Sequence, residues 1–151
     1  MPVQRSFVLL KPDTVQRNLI GEVISRLERK GLQIIGMKML IPSVDLATRH
    51  YHEHAQKPFF QSLLKFIVSG PSVALALEGD EAIAVARSLI GATDGRKAAP
   101  GTIRGDFGIS RSSNLVHGSD SPEAAERELK IWFSEGFVAW SRCDKPWLDS
   151  E

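Results

Sequence analysis

With 151 residues, 42% of them hydrophobic, the chain is long enough for one ordinary core and too short for two typical domains, so residues 1–151 are read as a single domain. Nineteen Lys and Arg against eighteen Asp and Glu leave a formal charge of +1, which excludes a net field for gathering nucleic acid or anionic membrane and confines any anion site to a local cluster. The single cysteine, Cys143, excludes an internal disulfide and a multi-thiolate metal centre.

The first predicted element is "RSFVLLK", a β-rich run that ends at Pro12. Its four-residue apolar stretch is shorter than a signal-peptide core of about 7–15 residues, and no later segment approaches the roughly twenty apolar residues of a membrane span. A cytoplasmic protein without a membrane segment is expected. "NLIGEVISRLERKG" places Leu19, Ile20, Val23, Ile24 and Leu27 on one helical face and stops at Gly31. "LQIIGMKMLI" reads as a second strand ended by Pro42. "DLATRHYHEH" and "PFFQSLLKFIVSG" follow as two helices, the second ended by Gly70. "SVALALE" is a third strand, after which Asp80 is placed to cap "EAIAVARSLIG", a helix stopped by Gly91. Ser121 and Pro122 form an N-cap and first-turn pair for "EAAERELKIWF", and "FVAW" is the last short strand. The order βαββαβ with additional helices predicts an α/β fold, an α+β sandwich of the ferredoxin-like kind on a four-stranded antiparallel sheet.

Residues 91–116 break this regularity with five glycines, one proline, four basic side chains and no period. Loops longer than about 12–15 residues are usually functional or disordered. This one follows a helix carrying Arg87 and runs into "NLVHGSDS", so Arg87, Arg104 and His117 converge if it folds back over the sheet; a solvated basic loop is the alternative. Convergence would suit phosphoryl transfer, whose moving group carries its charge on oxygens that arginine forks, lysine and neutral donors stabilise. Neither a Walker A loop nor the protein-kinase motifs occur, which leaves a neutral histidine as a candidate nucleophile.

"NLVHGSDS" together with "PGTIRGDF", "KPFF", "KPDTVQR" and "SGP" resembles the nucleoside diphosphate kinase family, with landmarks in register from Arg5 to Trp147. The resemblance implies transfer of the γ-phosphate of a nucleoside triphosphate to a nucleoside diphosphate, by a ping-pong route through phosphohistidine. His117 is then the nucleophile through Nδ1, with Glu128, held by Ser119, orienting the ring. The spacing agrees, since Glu128 lies about two turns into the helix opened by Pro122. Lys11, Tyr51 and Asn114 match donors near the γ-phosphate and the sugar hydroxyls. Arg87, Thr93 and Arg104 match the phosphate clamp, and His54 a further phosphate contact found in part of the family. Phe59 and Leu63 match the base-binding side, and Arg111 a variable position on the other face of the base. Read alone, Lys11 and Glu128 are solvated charges, and Tyr51, Phe59 and Leu63 core residues.

The family stacks bases without reading their edges, which implies a broad nucleotide range, and Mg2+ arrives with the nucleotide phosphates and needs no protein ligands. Many members carry Asn and Pro where this chain has Asp94 and Gly95, so a looser loop is expected. The full-length loop and the tail "SRCDKPWLDSE", with Trp147 as an apolar anchor, point by the same resemblance to a homohexamer, a trimer of dimers. Packing of Trp147 within its own subunit is the other reading. A histidine phosphatase would carry Arg before its His-Gly pair, where this chain has Val116. An RNA-recognition module would need aromatics that "FVLL" and "VALAL" do not offer, so nucleic-acid binding is not indicated.

Overall fold

The computed structural model describes residues 3–148; positions 1–2 and 149–151, the ends of the expected domain and tail, lie outside the described residues. Four strands, β1 (Val3–Leu10), β2 (Gln33–Leu40), β3 (Ser72–Asp80) and β4 (Val116–Gly118), form one sheet in the order β2-β3-β1-β4. Every neighbouring pair is antiparallel, and β1, in the middle, pairs with β3 from Val3–Asp80 to Leu10–Val73 and with β4 from Val8–Gly118 to Leu10–Val116. This is the predicted ferredoxin-like sheet.

Side chains alternate across a strand, so β1 serves two cores. Val8 and Leu10 face helices α2 (Ile20–Lys30) and α5 (Ala82–Ile90), packing with Val23, Leu27, Ala86 and Ile90. Phe7 and Leu9 face the opposite way, toward Ala47 of α3 (Val44–His50), Ile67 of α4 (Phe60–Ile67) and Trp132 of α7 (Pro122–Trp132). Phe7 and Trp132 are fully buried, each worth about 1.5–3 kcal/mol in apolar transfer, and stack at 5.3 Å. The extra helices α3, α4 and α7 thus cover the face that the βαββαβ core leaves open.

The local signals held in most places. Gly31 ends α2 in the left-handed conformation, and Ser121 Oγ caps α7 by accepting from the Ala124 N–H at 3.1 Å. Elsewhere the structure corrects the reading. The N-cap position of α5 is Glu81, with φ of 49° and no side-chain cap bond, while Asp80, expected there, closes β3. The helix "PFFQSLLKFIVSG" ends at Ile67, three residues before Gly70. "FVAW" is not a strand. It is tied to β2 by single bonds, Val138 N–H to the Ile35 carbonyl at 2.8 Å and Trp140 Nε1–H to that of Ile34 at 2.9 Å, and the fourth strand is instead Val116–Gly118. Two short helices were also missed, α1 (Pro12–Gln16) and α6 (Ile103–Phe107), the latter inside the glycine-rich loop.

That loop is tied down rather than loose at Asp94–Gly95. The Asp94 carboxylate accepts from Arg96 N–H, Nε and Nη2, and the Gly95 N–H donates to the Ser110 carbonyl at 3.2 Å. A Cβ at Gly95 would sit 2.5 Å from the Gly108 carbonyl carbon, so the glycine serves close approach of two backbones. In the tail, Trp147 is 80% exposed, which removes the reading that it packs within its own subunit.

Candidate active site

The strand that carries His117 begins with a kink. Leu115 has φ of 74°, and the Val116 N–H donates to the Asn114 carbonyl at 2.8 Å, closing a three-residue γ-turn. Such backbone costs on the order of 1–3 kcal/mol at a non-glycine residue and persists only where its surroundings hold it. Here the turn between β1 and α1 does so. The Leu115 carbonyl accepts from the Lys11 N–H at 2.9 Å and from Thr14 Oγ1 at 2.6 Å, and the Leu115 N–H donates to Asp13 Oδ2 at 2.9 Å.

Two residues on, His117 pairs with Leu9 and shares the face of the sheet that α3 and α7 cover. Its Nε2 lies 2.8 Å from Glu128 Oε2, and Ser119 Oγ donates to Glu128 Oε1 at 2.6 Å. Both Ser119 and Glu128 are buried. An ionised carboxylate only accepts, so Nε2 carries the hydrogen and Nδ1 the lone pair. The structure thus brings Ser119, Glu128 and His117 together in one hydrogen-bonded line.

Around the same short strand lies a cluster of cations. Lys11 Nζ, nearly buried, donates to Asn114 Oδ1, and Asn114 Nδ2 donates to the carbonyls of Thr93 at 3.0 Å and Arg111 at 2.9 Å. Arg104 gives three of its N–H donors to the carbonyls of Asn114, Gly91 and Val116, at 3.1, 3.1 and 2.5 Å, and Arg87 Nη1 reaches that of Gly118 at 3.3 Å. Burial pulls the Lys11 pKa down to about 8, helped by the Arg104 charge and opposed by Asp13. Burial and then Arg87 likewise pull Arg104 down to about 10, again against Asp13. Cations that depress one another in this way favour an anion between them.

On the other side a row of rings runs outward. His50 lies 4.8 Å from His117, Tyr51 4.7 Å from His50, His54 6.3 Å from Tyr51 and Phe59 5.5 Å from His54, ring centre to ring centre. Leu63 stands one helical turn beyond Phe59, which is 46% exposed. Burial, with the Glu128 carboxylate, pushes the Tyr51 phenol up to about 12, so it remains a donor at neutral pH. The Arg111 side chain is exposed, and this residue joins the cluster through its backbone carbonyl. Thr93 is exposed as well and joins in the same way.

Sequence reading passed over Asp13, Thr14, His50, Arg127 and Trp132. Proline at the first helical position followed by an acidic residue was a legible helix start for the first two; nothing local marks the others. A cavity of about 720 Å³ opens elsewhere, lined by Arg5, Glu78, Ile83, Leu129, Phe133 and Phe137, and includes none of the site residues. Among the described residues, no helix is long and apolar enough to cross a membrane.

The family model for nucleoside diphosphate kinase matches residues 4–138. A nucleoside diphosphate kinase of Archaeoglobus fulgidus is 54% identical over 150 residues, covering 99% of each chain, and one of Staphylococcus epidermidis is 51% identical over 137 residues, covering 91% of this chain and 92% of its own. Among solved structures, the halophilic nucleoside diphosphate kinase of Halobacterium salinarum in complex with CDP superposes with a TM-score of 0.95 at 47% identity, covering 99% of this chain and all of that one. A nucleoside diphosphate kinase family protein from Babesia bovis gives 0.94 at 46%, covering 97% of this chain and 99% of its own.

Proposed function

The chain belongs to the nucleoside diphosphate kinase family, transferases that move phosphate between nucleotides, and on that premise we propose that His117 carries the phosphoryl group. The observation that bears most weight is the line Ser119–Glu128–His117, which leaves the nucleophilic lone pair on Nδ1, on a strand whose approach, Asn114 to Val116, is held by Lys11 and Arg104.

In the first half-reaction the Nδ1 lone pair of His117 attacks the γ-phosphorus of a nucleoside triphosphate. The bond from that phosphorus to the β-phosphate oxygen breaks, and the nucleoside diphosphate leaves. The imidazole becomes cationic as it bonds to phosphorus, and Glu128 stabilises that charge through the Nε2–H. Lys11, Tyr51, Asn114, Arg87, Thr93 and Arg104 supply positive charge and donors to the phosphate oxygens and sugar hydroxyls, with His54 as a further phosphate contact. Phe59 and Leu63 take one face of the base, and Arg111 the other. A second nucleoside diphosphate then attacks phospho-His117, and the steps reverse.

Mg2+ belongs to the substrate in this reading, as the metal complex of the nucleotide. The phosphate-side groups Lys11, Arg87 and Arg104 are cationic, which suits the anionic end of such a complex rather than a bare metal ion. Residues 1–151 act as one kinase domain, a reading supported by the two cores that share one sheet. A cytoplasmic location accords with the free, exposed thiol of Cys143. A hexameric assembly accords with Ile109 and Trp147, each 80% exposed.

The test is direct. Protein incubated with ATP labelled on the γ-phosphate should take up an acid-labile label on His117 and pass it to added GDP far faster than to water. Label that discharges equally fast without GDP, or that survives in His117→Ala, overturns the reading.

A further inference from the structure

We propose that His50 is a positioning residue for the reaction at His117, a neutral imidazole held by Trp132 that walls one side of the nucleophile's ring and keeps Nδ1 turned to the cleft. The inference rests on His117 being the nucleophile, and deepens that reading.

His50 ends α3 and is 4% exposed. Its Nδ1 faces Trp132 Nε1 at 3.1 Å, and an indole nitrogen only donates, so Nδ1 is the acceptor and the ring carries its hydrogen on Nε2. The backbone of the same helix end is held from α7 as well, since Arg127 Nη1 reaches the carbonyls of Arg49 and His50 at 3.3 and 3.4 Å. The catalytic helix therefore fixes both the position of His50 and its tautomer.

The His50 ring stands at 85° to that of His117. A wall is needed there because of what the Glu128 bond leaves undone. The axis of imidazole rotation, along Cβ–Cγ, crosses the Cε1–Nε2 bond and so passes nearer to Nε2 than to Nδ1; a twist moves Nδ1, the atom that must meet phosphorus, farther than it moves the nitrogen bonded to Glu128. A ring packed this closely against the imidazole resists that twist. Phe7 stands against the same ring at 6.0 Å and 50°. Trp132 braces both walls, stacking on Phe7 and bonding to His50.

The charged and titratable groups facing His50 are His117, Arg127, Lys11, His54 and Tyr51, with a Glu128 carboxylate oxygen within 4.8 Å. Burial first, and then His117, Arg127, Lys11 and His54, hold the His50 pKa well below its ordinary value, so the wall adds no second positive charge beside the His117–Glu128 pair.

Two substitutions separate ring from hydrogen bond. His50→Asn keeps an acceptor for the Trp132 N–H and removes the ring; His50→Phe keeps a ring and removes the acceptor. In the Asn variant, phosphoenzyme formation should slow about tenfold with nucleotide affinity within about twofold of wild type, as expected for a displaced nucleophile. The Phe variant should recover most of that rate while melting at a lower temperature. Nitrogen NMR of His117 should show a mobile or mixed ring state in the Asn variant alone. An Asn variant that reacts at the wild-type rate, or two variants slowed in step with their loss of melting temperature, overturns the inference. Wild-type protein that takes no label on His117 would instead defeat the nucleophile reading, so the two failures are distinct.

Discussion

Leu115 and Asp13 stand 102 positions apart in the chain and 2.9 Å apart in space, the amide N–H of one donating to Oδ2 of the other. That bond holds a left-handed leucine two residues before His117. Asp13→Ala should therefore act on catalysis from outside the reacting atoms. A lost charge-assisted bond costs about 1.5–3 kcal/mol, which a denaturation midpoint reads as reduced stability. Turnover should drop about tenfold or more as the γ-turn relaxes and His117 shifts. Full activity in a destabilised Asp13→Ala protein would show that the turn is held without it.

Glu128→Gln tests the orienting carboxylate. The amide keeps one acceptor oxygen for either Ser119 or His117, but not the charge that stabilises a cationic imidazole. Turnover should fall by about ten- to a hundredfold without vanishing, because the nucleophile remains. A stopped-flow measurement of phosphoenzyme formation reads this before product release can mask it, and a wild-type rate there refutes a catalytic role for the contact.

Lys11 ties the site to pH. Its pKa in the folded chain is about 8, below the ordinary 10.5, so between those values the unfolded chain holds a proton that the folded chain has released. This group therefore makes folding more favourable as pH rises through that window and less favourable below pH 8, where the nearly buried site keeps an ammonium. A bound phosphate reverses the pull and restores the charge. Nucleotide binding near pH 8 should thus take up protons, which calorimetry in two buffers of different ionisation enthalpy detects, and affinity should weaken above about pH 8. Lys11→Met should bind more weakly and show no uptake; uptake that persists in that variant assigns it to another group.

Assembly gives the fourth expectation. Light scattering at micromolar concentration should show a hexamer, and a dimer or tetramer refutes it. Removing the residues after Arg142 takes away Trp147, which is exposed, and Leu148, whose side chain lies over Gly31. The truncated protein should dissociate at lower denaturant than the intact one, and an unchanged hexamer refutes that half.

Much of this was legible in the chain because local and global signals agreed. Gly31 and the Ser121–Pro122 pair mark helix ends by conformations that only certain residues adopt cheaply. Glu128 was placed by the family resemblance, with which its helical spacing agrees; read alone it was a solvated carboxylate. The fourth strand was not legible, since Val116–Gly118 is three residues long and holds a histidine and a glycine, whereas "FVAW" has strand-like composition but meets β2 through isolated bonds. The turn at Leu115 was equally hidden, because leucine carries no signal for a positive φ and the restraint comes from Asp13 and Thr14, about a hundred residues earlier. His50 read as one histidine among four; its partner, Trp132, is 82 positions away.

The close approach of Gly95 to Gly108 has a consequence for how the protein can evolve. A methyl at 95 would meet backbone, at 2.5 Å from the Gly108 carbonyl carbon, where no rotamer change gives relief. At Gly105 it would meet the Ala99 carbonyl oxygen at 1.9 Å. A side chain at either glycine therefore requires the backbone of the segment to take a different path, because no single rotamer change makes room. By contrast Gly21, on α2, has nothing within 4 Å of an added Cβ and lies open to neutral change. Room for a side chain thus runs against periodicity at these positions: the aperiodic loop needs glycine at 95 and 105, and the amphipathic helix leaves position 21 open.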